Sequence, residues 1–243
     1  MAKNFALIVG ASGEIGQTIS RKLAEAGWSL YLHYASNERF VKLLLDDLTL
    51  AYPAQEFILV QANLLEVEAV EHMAASIFSL KAVVFSQGHS LFKGLEDTSA
   101  QDIRQLFQVH IEHPMLLLAQ LASKLRVHDS ASIVFIGSIW GETGASYESA
   151  YSAAKGAQHA FVKAYAKEVA LQHINVNAVA PGFIDTNMNA HVKGDERQML
   201  LDEIPMGVFG LTADVANTVA FLVSNQARYI TGQIIRVNGG WYI

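Results

Sequence analysis

Apolar residues fall along this chain in two rhythms. Short unbroken runs rich in β-branched and aromatic side chains recur at Phe5 to Val9, Leu30 to Tyr34, Phe57 to Gln61, Ala82 to Ser86, Ser132 to Ile136, Asn175 to Ala180 and Ile234 to Val237. A run without polar alternation predicts a strand buried on both faces. Between most of these runs, apolar residues stand three and four apart, as at Ile15 to Ala26, Asn37 to Ala51, Val67 to Phe78 and Ile103 to Arg126. These segments, and 149–172 after them, predict helices. Strict alternation of the two implies right-handed crossovers and an α/β fold, a doubly wound parallel sheet with helices on both faces. Neither an internal repeat nor a Pro/Gly/Ser-rich linker breaks the series, so residues 1–243 read as a single domain. The one long interruption, 182–206, has the length of a lid or substrate loop above a sheet.

Composition narrows the class. A chain of 243 residues, 51% of them apolar, suffices for one large core; a domain of this size buries roughly 70–75% of its unfolded surface. The formal charge is −6 and no long basic run occurs, which excludes the electrostatic footprint of a nucleic-acid binder. The absence of cysteine removes disulfides and thiolate chemistry and fits a reducing compartment. No apolar run reaches the roughly 18–20 residues needed to cross a bilayer, and no signal-peptide pattern precedes the first strand. A cytoplasmic protein that does not engage membranes is the expectation.

After the first strand comes Gly10-Ala11-Ser12-Gly13-Glu14-Ile15-Gly16, and then a helix. Glycines let backbone amides approach a pyrophosphate at a helix N-terminus, where the dipole favours negative charge. A plain tight turn uses the same residues, but the place between first strand and first helix favours a dinucleotide. An acid at the end of the second strand would bind the ribose hydroxyls of NAD. That strand instead ends His33-Tyr34-Ala35-Ser36-Asn37, with Arg39 close by, so NADP(H) is favoured over NAD(H). Ser36 and Asn37 are also residue types that cap a following helix.

Ser138, Tyr151 and Lys155 stand thirteen and four apart. On a helix, Tyr151 and Lys155 share one face, one turn apart. A phenol of pKa about 10 exchanges protons poorly near pH 7 unless a positive charge favours its ionised form. An ammonium one turn away is expected to supply that charge, and a serine hydroxyl to bind the same substrate oxygen. A lone loop serine is usually a cap and a lone helical tyrosine usually core; it is the joint spacing that suggests hydride transfer.

These residues, with Gly137-Ser138, Val176-Asn177-Ala178-Val179-Ala180-Pro181-Gly182-Phe183-Ile184-Asp185-Thr186, Ile230-Thr231-Gly232-Gln233 and Val237-Asn238-Gly239-Gly240, resemble the short-chain dehydrogenase/reductase family over the whole chain, and within it the 3-oxoacyl-[acyl-carrier-protein] reductase branch of fatty acid metabolism. The resemblance implies a single Rossmann domain with strand order 3-2-1-4-5-6-7, a homotetramer, and reduction of a ketone or acyl thioester. It implies Tyr151 as general acid, Lys155 as the residue that lowers the tyrosine pKa and holds the nicotinamide ribose, and Ser138 as the group that positions the carbonyl. Cofactor contacts implied by the same likeness are Gly10, Ser12, Gly13, Ile15 and Gly16 at the first turn, Tyr34 and Ser36 at the second strand, Asn63 at adenine, Gly88 after the fourth strand, and Pro181, Gly182, Ile184 and Thr186 near the nicotinamide.

Four departures stand out. Glu14 replaces a glycine of the fingerprint and must point away from the phosphates or weaken binding. Phe85-Ser86-Gln87-Gly88 replaces Asn-Asn-Ala-Gly. His110 occupies the place of the fourth catalytic residue, an asparagine, whose main-chain carbonyl helps keep a water in the proton relay. Asp129 and Gln172 stand where carrier-protein reductases hold arginines, which weighs against docking of an acyl carrier protein. His110 and His113 share a helix face without a third metal ligand, so no metal is expected. His159, one turn beyond Lys155, either approaches the site or, the favoured reading, packs against a neighbouring helix. Met188, Met199 and Met206 line an acyl pocket or seal the lid, and Trp140 is a candidate substrate wall. Ala153, Ala154, Ala157, Ala160 and Ala164 leave the catalytic helix without bulk, as a subunit interface requires. The competing reading is a cofactor-binding sensor or scaffold with little catalysis.

Overall fold

The computed structural model describes residues 3–190 and 192–243. Seven parallel strands form one sheet: β1 (Phe5–Val9), β2 (Ser29–Tyr34), β3 (Phe57–Gln61), β4 (Ala82–Phe85), β5 (Ala131–Ile136), β6 (Ile174–Pro181) and β7 (Ile234–Val237), in the order β3-β2-β1-β4-β5-β6-β7. Side chains alternate along each strand, so one apolar run feeds two cores. Leu7, Val9, Phe85 and Phe135 meet Val70, Leu117, Leu121 and Val162 on one face. Ala6, Ile8, Val84 and Val134 meet Ile19, Leu23, Leu44 and Val219 on the other. Removing such a side chain from water contributes about 1.5–3 kcal/mol, which is why the strand sequences carry no polar alternation.

The first core is covered by α3 (Val67–Ser76), α5 (His113–Leu125) and α7 (Ser149–Val169). The second is covered by α1 (Glu14–Glu25), α2 (Glu38–Ala51) and α9 (Thr212–Leu222), and α4 (Ala100–Phe107), α6 (Trp140–Thr143) and α8 (Gly194–Glu203) complete the set of helices. The chain leaves β1 toward β2 on one side and returns at β4 on the other. That reversal opens a crevice at the carboxyl ends of β1 and β4, the place where open α/β sheets bind ligands.

The helix expected across 103–126 is present and unbroken, but it is irregular: α4 and α5 are joined through a turn that keeps helical backbone geometry. α4 begins at a capping box in which Ser99 Oγ accepts from the Asp102 amide at 3.1 Å and Asp102 accepts from the Ser99 amide at 2.9 Å. Between α4 and α5 the chain widens into a π-helical turn, Gln108–Glu112. Pro114 lies just beyond it. Without an N–H, proline cannot bond the carbonyls four and five residues back, those of His110 and Val109. Side chains take them instead: Gln158 Nε2 donates to the His110 carbonyl at 3.3 Å and Gln87 Nε2 to that of Val109 at 3.1 Å.

The segment 182–206 is anchored at both ends. Ile184 bridges Gly210, the Asp185 amide donates to the Gly210 carbonyl at 2.9 Å, and the Met206 amide donates to Gly239 at 3.1 Å. Between these anchors α8 buries none of its residues, as expected of a cover rather than a core element.

Candidate active site

The glycine-rich turn is built by close approach. A Cβ on Gly16 would stand 2.1 Å from the Gly10 carbonyl oxygen, and one on Gly10, whose φ is +86°, 2.7 Å from the Gln87 backbone. Gly13 caps α1 with no side-chain hydrogen bond, so the first amides of the helix keep their donors for an anion. Around a Cβ on Gly13 the nearest atom would be 3.5 Å away, which leaves the outer side of the turn clear. Tight backing with an open face and orphaned donors fits a dinucleotide pyrophosphate.

A residue that sequence reasoning passed over holds this turn. His33, buried in β2, accepts the Gly10 amide on Nδ1 at 3.0 Å, and its Nε2 lies 3.0 Å from the Ala62 carbonyl. Accepting on one nitrogen and donating from the other requires the neutral ring, and burial pushes its pKa down to about 4. The available signal was a histidine inside an otherwise apolar strand.

At the tip of β2 the expected capping by Asn37 is absent; the side chain makes no cap hydrogen bond. Tyr34 is buried with its hydroxyl 3.4 Å from Glu38, and Glu38 is itself held by Lys42 at 2.9 Å. Ser36 and Arg39 are exposed beside them. Asn63 uses both ends of its amide locally, donating to Glu66 at 2.7 Å and accepting from the Leu65 amide at 3.2 Å.

A cleft of about 530 Å³ gathers Ser138, Tyr151, Lys155, His110, Gly88, Pro181, Gly182, Ile184 and Thr186 with Ile15 of the first turn. Ser138 follows β5 and Tyr151 lies in the first turn of α7, where the Ser138 side chain faces the phenol and favours its ionised form. Ser138 Oγ also accepts from the Trp140 amide at 3.2 Å, which fixes its direction. Lys155, one helical turn on, buries its head, donates to the Ile136 carbonyl at 2.8 Å and stands 5.6 Å from the Tyr151 ring centre.

The electrostatics correct one expectation. The ammonium was to favour ionised tyrosine; instead burial raises the Tyr151 phenol, the Glu148 charge raises it further, and only the Ser138 hydrogen bond opposes them. Burial also lowers Lys155 to about 7. In a dry site each group moves toward its neutral form. The arrangement thus presents a protonated phenol, suited to giving a proton to a carbonyl oxygen.

His110 sits under the tyrosine, ring centres 5.7 Å apart and planes at 82°. Its Nε2 faces the His89 carbonyl at 3.1 Å while Nδ1 is buried without a protein partner. Burial, reinforced by the Lys155 charge, holds its pKa well below the usual imidazole range. Gly88, φ +143°, leaves room for this ring: a Cβ there would stand 2.1 Å from His110 Cε1. His113 diverges from it toward the Leu64 carbonyl at 2.5 Å. His159 packs beneath Gly137 and Gly141, as its helical position suggested.

Trp140 forms one wall of the cleft together with Trp241 and Tyr242, at centroid distances of 5.3 and 5.7 Å. Those two partners were missed, since no spacing ties them to Ser138. Met188 lines the cleft, whereas Met199 and Met206 stand outside it and are exposed. Of the alanines read as an interface, Ala154 is buried inside the fold, while Ala153, Ala160 and Ala164 are exposed. Gln172, where an arginine was missing, accepts from Arg126 Nε at 2.7 Å, so a guanidinium stands beside that position.

Residues 10–242 match the family profile described as enoyl-(acyl carrier protein) reductase. An uncharacterized oxidoreductase of Bacillus subtilis, YmfI, is 43% identical over 238 residues, 98% of each chain. The 3-oxoacyl-[acyl-carrier-protein] reductase FabG of Rickettsia bellii is 35% identical, with 97% of this chain and 95% of that one covered. Among solved structures, a blue fluorescent protein from a metagenomic library in complex with NADPH superposes with a TM-score of 0.91 at 26% identity, over 99% of this chain and 98% of that one. Fold, cleft and relatives agree that this chain is an oxidoreductase of the short-chain dehydrogenase/reductase family.

Proposed function

We propose that the protein is an NADPH-dependent reductase that converts a ketone to a secondary alcohol, with a 3-oxoacyl thioester as its substrate class. The observation that carries this reading is the convergence of Ser138, Tyr151 and Lys155 in one cleft beside the glycine-rich turn. When bound, the cofactor supplies the hydride. Ser138 orients the substrate oxygen, and Tyr151 donates its proton to that oxygen as negative charge develops there. Lys155 would hold the nicotinamide ribose; a proton passed on from its ammonium restores the phenol, and Lys155 then takes up a proton from solvent. His110 extends the relay behind the tyrosine.

The turn from Gly10 to Gly16 would hold the pyrophosphate, and Ile184, Thr186 and Gly182 the nicotinamide end. Ser36 and Arg39 would take a 2′-phosphate, with Glu38 neutralised by Lys42; the NADPH-bound neighbour supports the same cofactor. The thioester class follows the resemblance to FabG. A homotetramer and a cytoplasmic setting complete the reading, with the exposed alanines of α7 as one interface.

The test follows NADPH absorbance with acetoacetyl-CoA and a panel of other ketones. Turnover by the wild type, and a loss of about 100-fold or more in Tyr151→Phe with cofactor binding retained, is expected. Cofactor binding by both proteins with turnover by neither, across the panel, would favour the sensor reading.

A further inference from the structure

Glu14 is the first residue of α1, on the turn that faces the cofactor crevice. A carboxylate there gains from the helix dipole, yet it would repel a dinucleotide's phosphates if it faced them. It is turned away. Glu14 Oε2 accepts the Asn187 backbone amide at 2.7 Å and Oε1 accepts Asn187 Nδ2 at 2.5 Å, across 173 residues of sequence. Both are hydrogen bonds to an ionised acceptor, stronger than neutral ones.

The remaining contacts of this part of the cover lie elsewhere. Asn189 Nδ2 donates to the Ile184 carbonyl at 2.8 Å, Arg197 pairs with Asp185 at 3.1 Å, and Asp185 is tied to Gly210. These hold the segment to itself and to its root, and at its far end Trp241 Nε1 donates to Glu203 at 3.1 Å, tying α8 to the C-terminal wall of the cleft. The two Glu14 bonds join Asn187, near the start of this cover, to the first residue of α1. Ile15, Thr186 and Met188, neighbours in sequence of the bonded pair, all line the cleft, so the contact sits beside the space a dinucleotide would fill.

We infer that Glu14 is a positioning residue whose carboxylate latches the lid through Asn187 onto the phosphate turn, and thereby sets how long a bound cofactor stays. The inference rests on the reductase reading for its cofactor consequence, but the latch itself exists without ligand. Glu14→Ala frees the lid; Asn187→Ala removes one of the two donors. Glu14→Gln keeps a carbonyl acceptor without the charge.

Two measurements test it on the full chain. In cofactor-free protein, trypsin cleavage after Lys193 or Arg197 should be several-fold faster in Glu14→Ala and Asn187→Ala. Combining the two should add little, because they break one contact. In a stopped-flow chase, release of NADPH should speed up about tenfold in Glu14→Ala, the loss expected for a hydrogen bond to a charged group, with Glu14→Gln nearer the wild type. Thermal melts confirm that the variants fold. Unchanged cleavage and release in Glu14→Ala would overturn the latch. So would slower release in both Glu14 variants, since that would make the carboxylate a mere repelling charge. A wild type that binds no NADPH would overturn the reductase reading and the residence-time role with it, whatever the cleavage rates.

Discussion

His110 and Gly88 are matched in shape. The imidazole fills the volume that a side chain at 88 would take, and the positive φ of Gly88 disfavours any other residue there. Gly88→Ala is expected to cost about 2 kcal/mol or more by overpacking. Adding His110→Asn should recover part of it, as denaturant titration would read. In turnover, His110→Asn should stay close to wild type, and His110→Leu should fall by about tenfold, the scale of a partial loss of general acid–base help. Equal rates and pH profiles in the two would remove the imidazole from the relay. Sequence spacing brought Tyr151, Lys155 and Ser138 together correctly, because i and i+4 share a helix face whatever the surroundings. It could not give the sign of the pKa shifts, which depend on how completely the neighbours exclude water.

At the scale of elements, Pro114 is the instructive case. Periodicity sees only which face is apolar, and α4 and α5 keep one face to the core, so the expected helix is continuous. The widened turn inside that helix reflects a missing N–H, which hydrophobic spacing does not register. The capping box of Ser99 and Asp102 was legible as Ser-x-x-Asp and marks the true start of α4. Pro114→Ala returns a donor that competes with Gln158 for the His110 carbonyl or with Gln87 for that of Val109. The variant should melt higher than wild type, since a helix-interior proline costs about 3 kcal/mol. Its turnover should nevertheless drop, as His110 shifts toward regular α-helical geometry. A higher melting temperature with unchanged kcat would show that the π-helical turn does not matter to the site.

For the whole molecule, alternating buried runs and amphipathic segments with right-handed crossovers made a parallel sheet covered on both faces legible, while the strand order now observed was implied by the family resemblance. Contacts between distant segments were not legible: Glu14 with Asn187, His33 with Gly10, and Trp140 with Trp241 link residues that no local pattern relates. Stability against pH sums such buried groups. His33 and His159 titrate near 4 in the fold, and His110 well below the ordinary 6.5. The unfolded chain therefore binds more protons below pH 6.5, and stability should fall with acid by about 1.4 kcal/mol per pH unit for each histidine. Lys155 extends the trend: with a folded value of about 7 against an ordinary 10.5, its contribution grows as pH rises above 7 and is lost as pH falls through it. Denaturant midpoints of the cofactor-free protein should thus climb from pH 4 to 6.5 and again from 7 to 9. His33→Gln should flatten the first rise and Lys155→Met the second; slopes unaltered by either substitution would contradict the assignment.

The wall formed by Trp140 and Trp241 has a practical corollary. Of the three tryptophans in the chain, these two flank the cleft, while Trp28 packs toward the opposite end of the sheet. Intrinsic emission is therefore weighted toward the reaction chamber, and energy transfer to a reduced nicotinamide would report occupancy without any attached label. Trp28→Phe would sharpen that optical signal, leaving two indoles as a native gauge of what enters and leaves.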